Sequence, residues 1–288
     1  MKNILKRITH ILPDKLYVSL YYRLKMHRKM HWKNPQTFNE KLQWLKLYDR
    51  KSEYTEMVDK YEAKKYVASR IGEDYIIPTL GIWERFEDID FVNLPDQFVL
   101  KCTHDSGGLV ICRDKATLDR DKARAKIEQS LKNNYYYACR EWPYRNVKPR
   151  IIAEQYMEEV GSTDLADYKV HCFNGKPKVV LVCRDRYSET GLTEDFYSVE
   201  WEHLDVKRPG TPNAAALEKK PEQLDEMLRL SRVLSKGLPF IRVDFYVNNS
   251  RVYFGELTLY PAAGIKPFEP NRWDETFGAW ITLPNQKP

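Results

Sequence analysis

The stretch RVDFYVNNSRVYFGEL (residues 242–257) predicts two antiparallel strands joined by a tight turn. Apolar and polar residues alternate before the turn. Asn and Ser form the turn itself, because Asn tolerates left-handed backbone and Ser bonds back to the chain. Each strand nevertheless carries an acid, Asp244 on the first and Glu256 on the second. A three-residue loop centred on Ser250 predicts three facing pairs: Asp244 with Glu256, Arg242 with Thr258, and Tyr246 with Phe254.

The facing acids have two interpretations. Two carboxylates on one face repel each other, so one is protonated unless a cation lies between them. Their hard oxygens suit Mg²⁺, which binds one or two carboxylates together with substrate phosphates. The alternative is an ion pair between Arg242 and Asp244, with Glu256 solvated. Spacing alone leaves both interpretations open.

The composition describes a folded chain. A hydrophobic content of 42% with 13% aromatic residues is enough for a packed core and excludes a disordered protein. No apolar run approaches membrane-spanning length, and no signal peptide is recognisable. The five cysteines form no C-x-x-C pair, and the histidines lack ligand spacing relative to them. We therefore expect a reduced, cytoplasmic protein without a zinc site.

The positive charge is concentrated at the N-terminus. Residues 1–33 hold nine Lys or Arg against one Asp, a formal charge of +8, so residues 34–288 carry −2 of the total +6. Nucleic-acid binding by the whole fold is therefore not expected. The arm also has helical apolar stripes, formed by Ile4, Leu5, Ile8, Ile11 and Leu12 and then by Leu16, Leu20 and Leu24. The pattern favours packing of these stripes on the body; the alternative is contact of residues 1–33 with an anionic membrane surface.

The rest of the chain predicts a mixture of helices and strands. Thr37 and Glu40 form a capping box that begins a helix, and one helix is predicted over residues 56–72. A polar helix is predicted over 118–133 and an amphipathic one before Gly237. The dipeptide Asn174-Gly175 is the strongest hairpin signal in the chain.

Three further segments could carry chemistry. In KCTHDSGGLVI (101–111), a Lys ends a strand and two glycines follow, so the loop could close over phosphates; a plain hairpin turn is the commoner meaning. The strand end AEQYMEEVG (153–161) resembles a hinge whose backbone could contact an adenine edge; the alternative is an ordinary strand end. Lys169 lies between Asp167 and His171 on a strand, where it could contact phosphate, but taken in isolation the segment favours a solvated strand face.

The order of these segments resembles the TupA-like ATP-grasp family, named for teichuronopeptide biosynthesis. The residues that carry the likeness are TFNEKLQWLKLYDR, DKYEAKKYV, VLKCTHDSGG, IIAEQYM, DYKVHCFNGKP, RVDFYV and GELTLYPAAG, which span roughly residues 35 to 270. A more distant likeness to D-alanine–D-alanine ligase surrounds RVDFY. The resemblance implies an α+β fold in which two lobes with antiparallel sheets grip ATP. It implies three parts: a basic helical region (1–55), a small lobe (56–153) and a C-terminal lobe (154–288).

The resemblance also implies roles for single residues. Lys101 would bind the α/β-phosphates, and the loop Asp105, Ser106, Gly107 and Gly108 would cover them. Glu154, Gln155, Tyr156 and Met157 would line adenine, with Glu158 or Glu159 near the ribose. Lys169 would contact the γ-phosphate, Arg242 would stabilise the acyl phosphate, and Asp244 and Glu256 would hold Mg²⁺. Many ATP-grasp enzymes have Asn two residues after the metal-binding Glu, and here Thr258 takes that place. Its hydroxyl could still be a metal ligand beside Asp244 and Glu256, and the number of metal ions is left open.

The implied reaction is ATP-dependent joining of a carboxylate to an amine. For this family the acceptor is expected to be a sugar acid of a surface polysaccharide and the amine an amino acid or a peptide. Three alternatives stay open: a phosphotransferase, a non-catalytic scaffold, and a glycosyltransferase that uses Asp88 and Asp90 with a nucleotide-sugar.

Overall fold

The structure is a computed structural model that describes residues 11–158, 166–184 and 191–284. Two antiparallel sheets organise this part of the chain. The first has the order β1-β4-β2-β3 and consists of β1 (Thr79–Trp83), β2 (Phe98–Cys102), β3 (Leu109–Cys112) and β4 (Ile151–Gln155). The second has the order β7-β6-β5-β8-β9 and consists of β5 (Asp167–Phe173), β6 (Lys176–Arg184), β7 (Thr193–Ser198), β8 (Phe240–Asn248) and β9 (Arg251–Thr258).

Eight α-helices accompany the sheets in the described residues. They are α1 (Asp14–Met26), α2 (Phe38–Tyr48), α3 (Glu53–Val58), α4 (Glu62–Ile71), α5 (Arg120–Leu131), α6 (Tyr136–Cys139), α7 (Leu224–Leu234) and α8 (Arg272–Ala279). Short 3₁₀ turns cover Glu73–Tyr75, Phe86–Asp88, Lys115–Thr117, Trp142–Asn146 and Pro261–Gly264. The predicted domain boundary after residue 153 lies within β4, and the division into three parts stays a prediction.

The first sheet has one apolar and one polar face. Phe98 and Leu100 of β2 share a buried cluster with Ile151 and Ala153 of β4, and α5 contributes Ile127 to it. Side chains alternate along a strand, so the residues between these point the other way. That second face carries Lys101 and Glu154 on the paired strands β2 and β4.

The second sheet also has one apolar face and one polar face. Val170, Val243 and Leu257 belong to the main core, and the Cys172 thiol contacts the Ser231 carbonyl of α7 on this side. The opposite face carries the polar residues of β5, β8 and β9. At its far end that face becomes apolar again, since Phe240 of β8 packs on Phe38 of α2 with ring centroids 4.9 Å apart. Helix α2 therefore closes one end of a polar strip.

Several local predictions are confirmed. Thr37 Oγ1 accepts a hydrogen bond from Glu40 N, and Glu40 Oε2 accepts one from Thr37 N, which completes the capping box. Asn174 and Gly175 form a two-residue turn with φ of 49° and 76°, and helix α5 lies within the predicted polar segment.

The hairpin of β8 and β9 differs from its prediction. Its turn has two residues, Asn249 and Ser250, both with positive φ, because such turns match the twist of paired strands. Phe254 therefore pairs with Phe245, and the predicted pairing of Phe254 with Tyr246 is wrong. Gly255 is then an extra residue in β9, a β-bulge that shifts the ladder by one. Beyond it Asp244 faces Glu256 and Arg242 faces Thr258, as predicted.

The single helix predicted over residues 56–72 is also wrong. The chain breaks between α3 and α4 because the Asp59 side chain competes for the backbone. Asp59 Oδ1 accepts hydrogen bonds from the backbone N–H of Tyr61, at 2.8 Å, and of Glu62, at 3.2 Å. The break turns α4 toward the first sheet, where Lys64 reaches Glu154.

The expectation that the N-terminal apolar stripes pack on the body fails for α1. Val18 and Tyr22 are buried, but Leu16, Leu20 and Leu24 on the opposite side are 46%, 54% and 67% exposed. Ile4, Leu5 and Ile8 lie outside the described residues. Among the described helices, none combines the length and the apolar character needed to cross a bilayer.

Candidate active site

The candidate site begins with a strip of charged side chains on the second sheet. Residues directly opposite in antiparallel strands share a face. In one row Lys169 of β5 faces Asp244 of β8, which faces Glu256 of β9. In the next row Arg242 faces Thr258. The sheet thus places two cations and two acids side by side.

Arg242 lies between the two acids. Its Nε and Nη2 each lie 2.6 Å from an oxygen of Asp244, and Nη2 also lies 2.7 Å from Glu256 Oε1 and 3.0 Å from Thr258 Oγ1. The predicted alternative of an Arg242–Asp244 ion pair therefore describes the geometry. Glu256 is only partly solvated, because it also accepts a hydrogen bond from Thr258.

Lys169 lies on the other side of Asp244. Its Nζ is 2.5 Å from Asp244 Oδ2 and also forms an ion pair with Asp167. Lys169 is 7% exposed, so the expectation of a solvated strand face is wrong. Burial lowers the pKa of Lys169, but the charges of Asp167 and Asp244 outweigh it and raise that pKa above its usual value. The ammonium group is therefore retained at neutral pH.

The strip can accept a divalent cation. Asp167, Asp244 and Glu256 carry three formal negative charges against two positive ones on Lys169 and Arg242, which leaves one negative charge. The side chain of Glu256 is 49% exposed, so a cation can approach it from solvent. In the described residues no three His, Cys, Asp or Glu side chains form a preformed metal site. Mg²⁺ needs only one or two carboxylates when waters and phosphates complete its shell, so the donor set fits it.

The first sheet contributes a second charged cluster. Glu154 is buried between two lysines, with Lys101 Nζ and Lys64 Nζ each 2.5 Å from one of its oxygens. Burial alone would raise the pKa of Glu154, but Lys101 and Lys64 lower it to about 2. Lys64 was not predicted. Its segment, DKYEAKKYV, signalled a helix, and nothing in the spacing links Lys64 to a strand 90 residues later.

The side chain of Asp105 stabilises the loop of residues 105–108. Asp105 Oδ1 accepts a hydrogen bond from Gly108 N at 3.1 Å, and Asp105 Oδ2 accepts one from Ser130. A Cβ on Gly108 would lie 2.5 Å from Cys102 Sγ, so only glycine fits there. A Cβ on Gly107 would meet only Asp105 Oδ2, at 3.7 Å, and Ser106 is exposed. The Asp105 side chain thus holds the loop, while its tip remains open.

The residues predicted to line adenine do not lie on one face of β4. Glu154 faces Lys101, whereas Gln155 belongs to the opposite face of β4. There Gln155 and Tyr156 line a cavity of about 740 Å³, and Tyr156 accepts a hydrogen bond from Arg113 at 3.1 Å. Met157 is half-buried and Glu158 is exposed. Glu159 lies outside the described residues.

Lys60 and Tyr246 lie close to both the charged strip of the second sheet and the charged cluster of the first. Neither residue was assigned a role from the sequence. Lys60 Nζ donates a hydrogen bond to the Asp105 carbonyl, and burial lowers its pKa while the charges of Glu256 and Asp105 raise it. The pKa of Tyr246 is raised by Asp167 first, then by burial and by further acids that include Glu256 and Glu154. Acids of both clusters therefore lie close enough to act on Lys60 and Tyr246.

The two acids of the glycosyltransferase alternative lie apart from this site. Asp88 and Asp90 are both exposed. Asp88 is paired with Arg85 at 2.5 Å, and Asp90 accepts a hydrogen bond from Asn93 at 2.6 Å. Each carboxylate is thus engaged by its own neighbour on the surface.

The chain was compared with protein families, curated proteins and solved structures. A family model described as TupA-like ATPgrasp matches residues 40–282. No curated protein has a significant match. Among solved structures, the D-alanine–D-alanine ligase of Bacillus anthracis complexed with ATP is 16% identical, with a TM-score of 0.41, over 70% of this chain and 53% of the ligase.

Two other solved structures have similar scores. The D-alanine–D-alanine ligase of Helicobacter pylori is 15% identical, with a TM-score of 0.44, over 85% of this chain and 69% of the ligase. The ATP-grasp ligase PsnB complexed with minimal precursor, Mg and ADP is 10% identical, with a TM-score of 0.40, over 76% of this chain and 57% of PsnB. This chain spans between half and three fifths of the two Bacillus anthracis ligase structures, 53% and 59%.

Proposed function

The chain belongs to the TupA-like ATP-grasp family, and on that premise we propose that it is an ADP-forming carboxylate–amine ligase. Its two antiparallel sheets are the lobes of an ATP-grasp fold. The acceptor is a sugar acid of a surface polysaccharide, and the amine comes from an amino acid or a peptide. The observation that carries this proposal is the strip of Lys169, Arg242, Asp244 and Glu256 on the second sheet.

The proposed roles follow the charges of the site. Lys101 contacts the α/β-phosphates, and the open tip of the loop at Ser106 and Gly107 covers them with backbone N–H groups. The segment from Glu154 to Met157 borders the adenine. Lys169 and Arg242 turn from Asp244 toward the γ-phosphate as the nucleotide enters, because a phosphate offers them more negative charge than one carboxylate.

The proposed reaction has two steps. A carboxylate oxygen of the acid attacks the γ-phosphorus of ATP, the bond to the β,γ-bridging oxygen breaks, and an acyl phosphate and ADP form. The amine nitrogen then attacks the acyl carbon, inorganic phosphate leaves, and the nitrogen loses a proton to give the amide. Arg242 and Lys169 stabilise the charge on the transferred phosphoryl group, and their fixed positions remove the need for solvent reorganisation.

Asp244 and Glu256 are the proposed ligands of Mg²⁺, with Thr258 beside them. When bound, Mg²⁺ neutralises phosphate charge during transfer. Arg242 holds both carboxylates on the same side of the hairpin. The protein therefore keeps the donor pair aligned while Lys169 and Arg242 balance its charge.

Hydroxylamine trapping tests the ligase proposal without knowledge of the amine. Hydroxylamine converts acyl phosphates to hydroxamates, which give a coloured Fe³⁺ complex. The protein is incubated with Mg-ATP, hydroxylamine and either D-glucuronate, D-galacturonate or their oligomers, with D-glucose as the neutral control. We expect acid-dependent hydroxamate and an equal amount of ADP, both lost in Asp244→Asn.

Other outcomes would redirect the assignment. ADP formation with a phosphorylated acceptor but no hydroxamate would indicate a phosphotransferase. Thermal stabilisation by UDP-sugars but not by Mg-ATP would overturn the ligase proposal and turn attention to Asp88 and Asp90. If none of the acids gave a hydroxamate although the protein still bound Mg-ATP, the proposal of a sugar-acid acceptor would be contradicted.

We also propose that α1 lies on an anionic membrane surface, with the protein on the cytoplasmic side. Leu16, Leu20 and Leu24 form one exposed apolar stripe, and Arg23 lies on the same arc of the helix. Residues 11–33 hold six Lys or Arg against Asp14, a formal charge of +5. A basic helix with an exposed apolar stripe is typical of binding to anionic lipid headgroups. Such contact would hold the protein near lipid-linked glycans.

A further inference from the structure

Arg208 is a buried cation that the proposed function does not use. It lies in the segment between β7 and α7, and only 6% of it is exposed. The backbone of its neighbour Lys207 pairs in both directions with Glu269, at 2.8 and 2.9 Å. The Arg208 carbonyl accepts a hydrogen bond from Thr211 N at 3.0 Å. These bonds fix the chain on both sides of Arg208, so its inward position is built into the fold.

The guanidinium group of Arg208 has no partner among the described residues. It lies over the rings of Phe268 and Phe196, 5.4 and 5.9 Å from their centroids. Its Nε is buried without a hydrogen bond, and the described residues provide no ion pair for the group. Glu194, whose charge acts on Arg208, is not within ion-pair distance, and Glu194 Oε2 is itself buried and unpartnered. A buried cation without a hydrogen-bonded partner costs stability, so its retention requires an explanation.

The position of Arg208 connects it to the charged strip. Phe196, which lies beneath its guanidinium, pairs with Leu181, and Leu181 pairs with Lys169 in the neighbouring strand. The charges of Arg208 and Arg242 both act on His171, whose pKa is lowered by burial and by these two cations. His171 Nδ1 lies 3.1 Å from the Lys169 carbonyl, which can only accept, so Nδ1 donates and Nε2 is an acceptor. That Nε2 is buried and has no partner either.

We propose that Arg208 binds the carboxylate of the acid substrate and holds it beside Lys169 and Arg242. This inference rests on the proposed function, in which that carboxylate attacks the γ-phosphate. A guanidinium group can donate two parallel hydrogen bonds to one carboxylate, which fixes its orientation. Phe196 and Phe268 exclude water from one side of the group, and this strengthens the attraction between the charges. The bound carboxylate supplies the hydrogen-bonded acid that the described residues do not.

The proposal makes a prediction about stability that a structural role does not. If the partner of Arg208 is a substrate, replacement of this arginine by Met removes a buried cation that has no hydrogen-bonded partner in the described residues. The melting temperature of Arg208→Met should then be equal to or higher than that of the wild type. A structural role predicts the reverse, because a cation that stabilises the free protein would be lost.

Kinetics of hydroxamate formation test the binding role. With D-glucuronate as the probe acid, Arg208→Met should raise the KM for the acid by about tenfold to hundredfold, the loss expected for a charge-assisted hydrogen bond. The thermal shift with Mg-ATP should be unchanged, and Arg208→Lys should recover part of the KM. Arg272→Met is the matched control, since Arg272 is exposed and pairs with Asp205 on the surface.

The outcomes separate the two proposals. Loss of the Mg-ATP shift in Arg208→Met would mean that the group serves the nucleotide phosphates, and this would overturn the inference. A lowered melting temperature, or an unchanged KM for the acid, would also overturn it. Wild-type protein that binds Mg-ATP but gives no hydroxamate with any acid contradicts the proposed function itself, whereas the stability of Arg208→Met still decides whether Arg208 has a structural role.

Discussion

Lys169 and Asp244 face each other on neighbouring strands, with Lys169 Nζ 2.5 Å from Asp244 Oδ2. The same oxygen also accepts a hydrogen bond from Arg242 Nη2 at 2.6 Å. The two cations therefore cover the acid that the proposed function assigns to Mg²⁺. Nucleotide and metal should consequently bind together, because phosphates must draw Lys169 and Arg242 away before the carboxylate is free.

The first prediction concerns this coupling. Mg²⁺ alone should change the melting temperature little, whereas Mg-ATP at 100 times its Kd should stabilise the protein by about 2.7 kcal/mol. Asp244→Asn should abolish the Mg-ATP effect. It should also lower the unfolding free energy by about 3 kcal/mol, because two buried cations lose a partner. Differential scanning fluorimetry with and without each ligand measures both effects.

Asp195→Asn is the matched control for Asp244→Asn. Asp195 is a buried acid of the same sheet, but it is bound by His203, Asn213 and the Ala214 backbone. This variant should lose stability and keep the Mg-ATP shift. Equal loss of the shift in both variants would show that general destabilisation, and not metal binding, explains the Asp244 result.

The second prediction concerns pH and Glu154. Its pKa in the folded protein, about 2, lies below its ordinary value of 4.5. Its contribution to stability is therefore complete above about pH 4.5 and is lost as the pH falls toward 2. Glu154→Gln should lower the unfolding free energy at pH 7 by about 3 kcal/mol, and the difference from wild type should shrink at pH 3.

Urea denaturation at pH 7, 5 and 3 measures the Glu154 effect. Glu158→Gln is the control, because Glu158 is an exposed acid four residues further along the chain. Parallel stability curves for wild type and Glu154→Gln over this pH range would contradict the depressed pKa of Glu154.

The third prediction contrasts two adjacent glycines. A Cβ at Gly108 would meet Cys102 Sγ at 2.5 Å and Ser130 Oγ at 2.7 Å, so Gly108→Ala should cost about 1–3 kcal/mol of stability. A Cβ at Gly107 would meet only Asp105 Oδ2 at 3.7 Å, so Gly107→Ala should leave stability within about 0.5 kcal/mol. If phosphates approach the Gly107 backbone, this alanine should still weaken ATP binding by about tenfold.

Urea denaturation and ATP titration of the two variants separate the two effects. Undiminished ATP affinity in Gly107→Ala would argue that the tip of the loop does not cover the phosphates.

The fourth prediction concerns the stripe on α1. Replacement of Leu16, Leu20 and Leu24 by Ser should release the protein from phosphatidylglycerol vesicles and leave its melting temperature unchanged, because all three side chains are already exposed. Each apolar CH₂ that enters the membrane contributes about 0.8 kcal/mol, so the triple change should lower partitioning more than tenfold. Vesicle co-sedimentation measures the bound fraction.

Val92→Ser is the control for the stripe, since Val92 is exposed at a distance in the sequence from the basic region. The membrane proposal would be refuted if the wild-type protein did not bind phosphatidylglycerol vesicles. It would also be refuted if the triple variant co-sedimented with them as the wild type does. Binding should also weaken with added salt, because Lys and Arg contribute through charge.

The juxtaposition of Asp244 with Glu256 could be predicted from the sequence, since it depends on local alternation and on a hairpin. The ATP-grasp fold was predicted from the resemblance of the ordered segments to a known family. Prediction failed where contacts join distant segments. Lys64 reaches Glu154 across 90 residues, and no local pattern encodes such an ion pair. The break at Asp59 was missed because apolar spacing continued through it, whereas a side-chain hydrogen bond to the backbone ended the helix.

The exposed leucines of α1 show another limit of pattern analysis. Periodicity identifies an apolar side of a helix, but it does not say what covers that side. In α1 the side that packs on the body carries Val18 and Tyr22, and the leucines lie opposite. Arg208 was missed for a related reason, because its segment has no periodicity and only the fold brings it over Phe196.

The bulge at Gly255 gives the β8–β9 hairpin two registers, one at its tip and one at its base. A relative that lacked one residue here would keep its acids opposite each other only if the missing residue were the bulge itself. Loss of a residue nearer the turn would move Glu256 to the other face of β9 unless a new bulge formed. Alignments of such hairpins should therefore be anchored on the acids, and gaps should be placed at position 255.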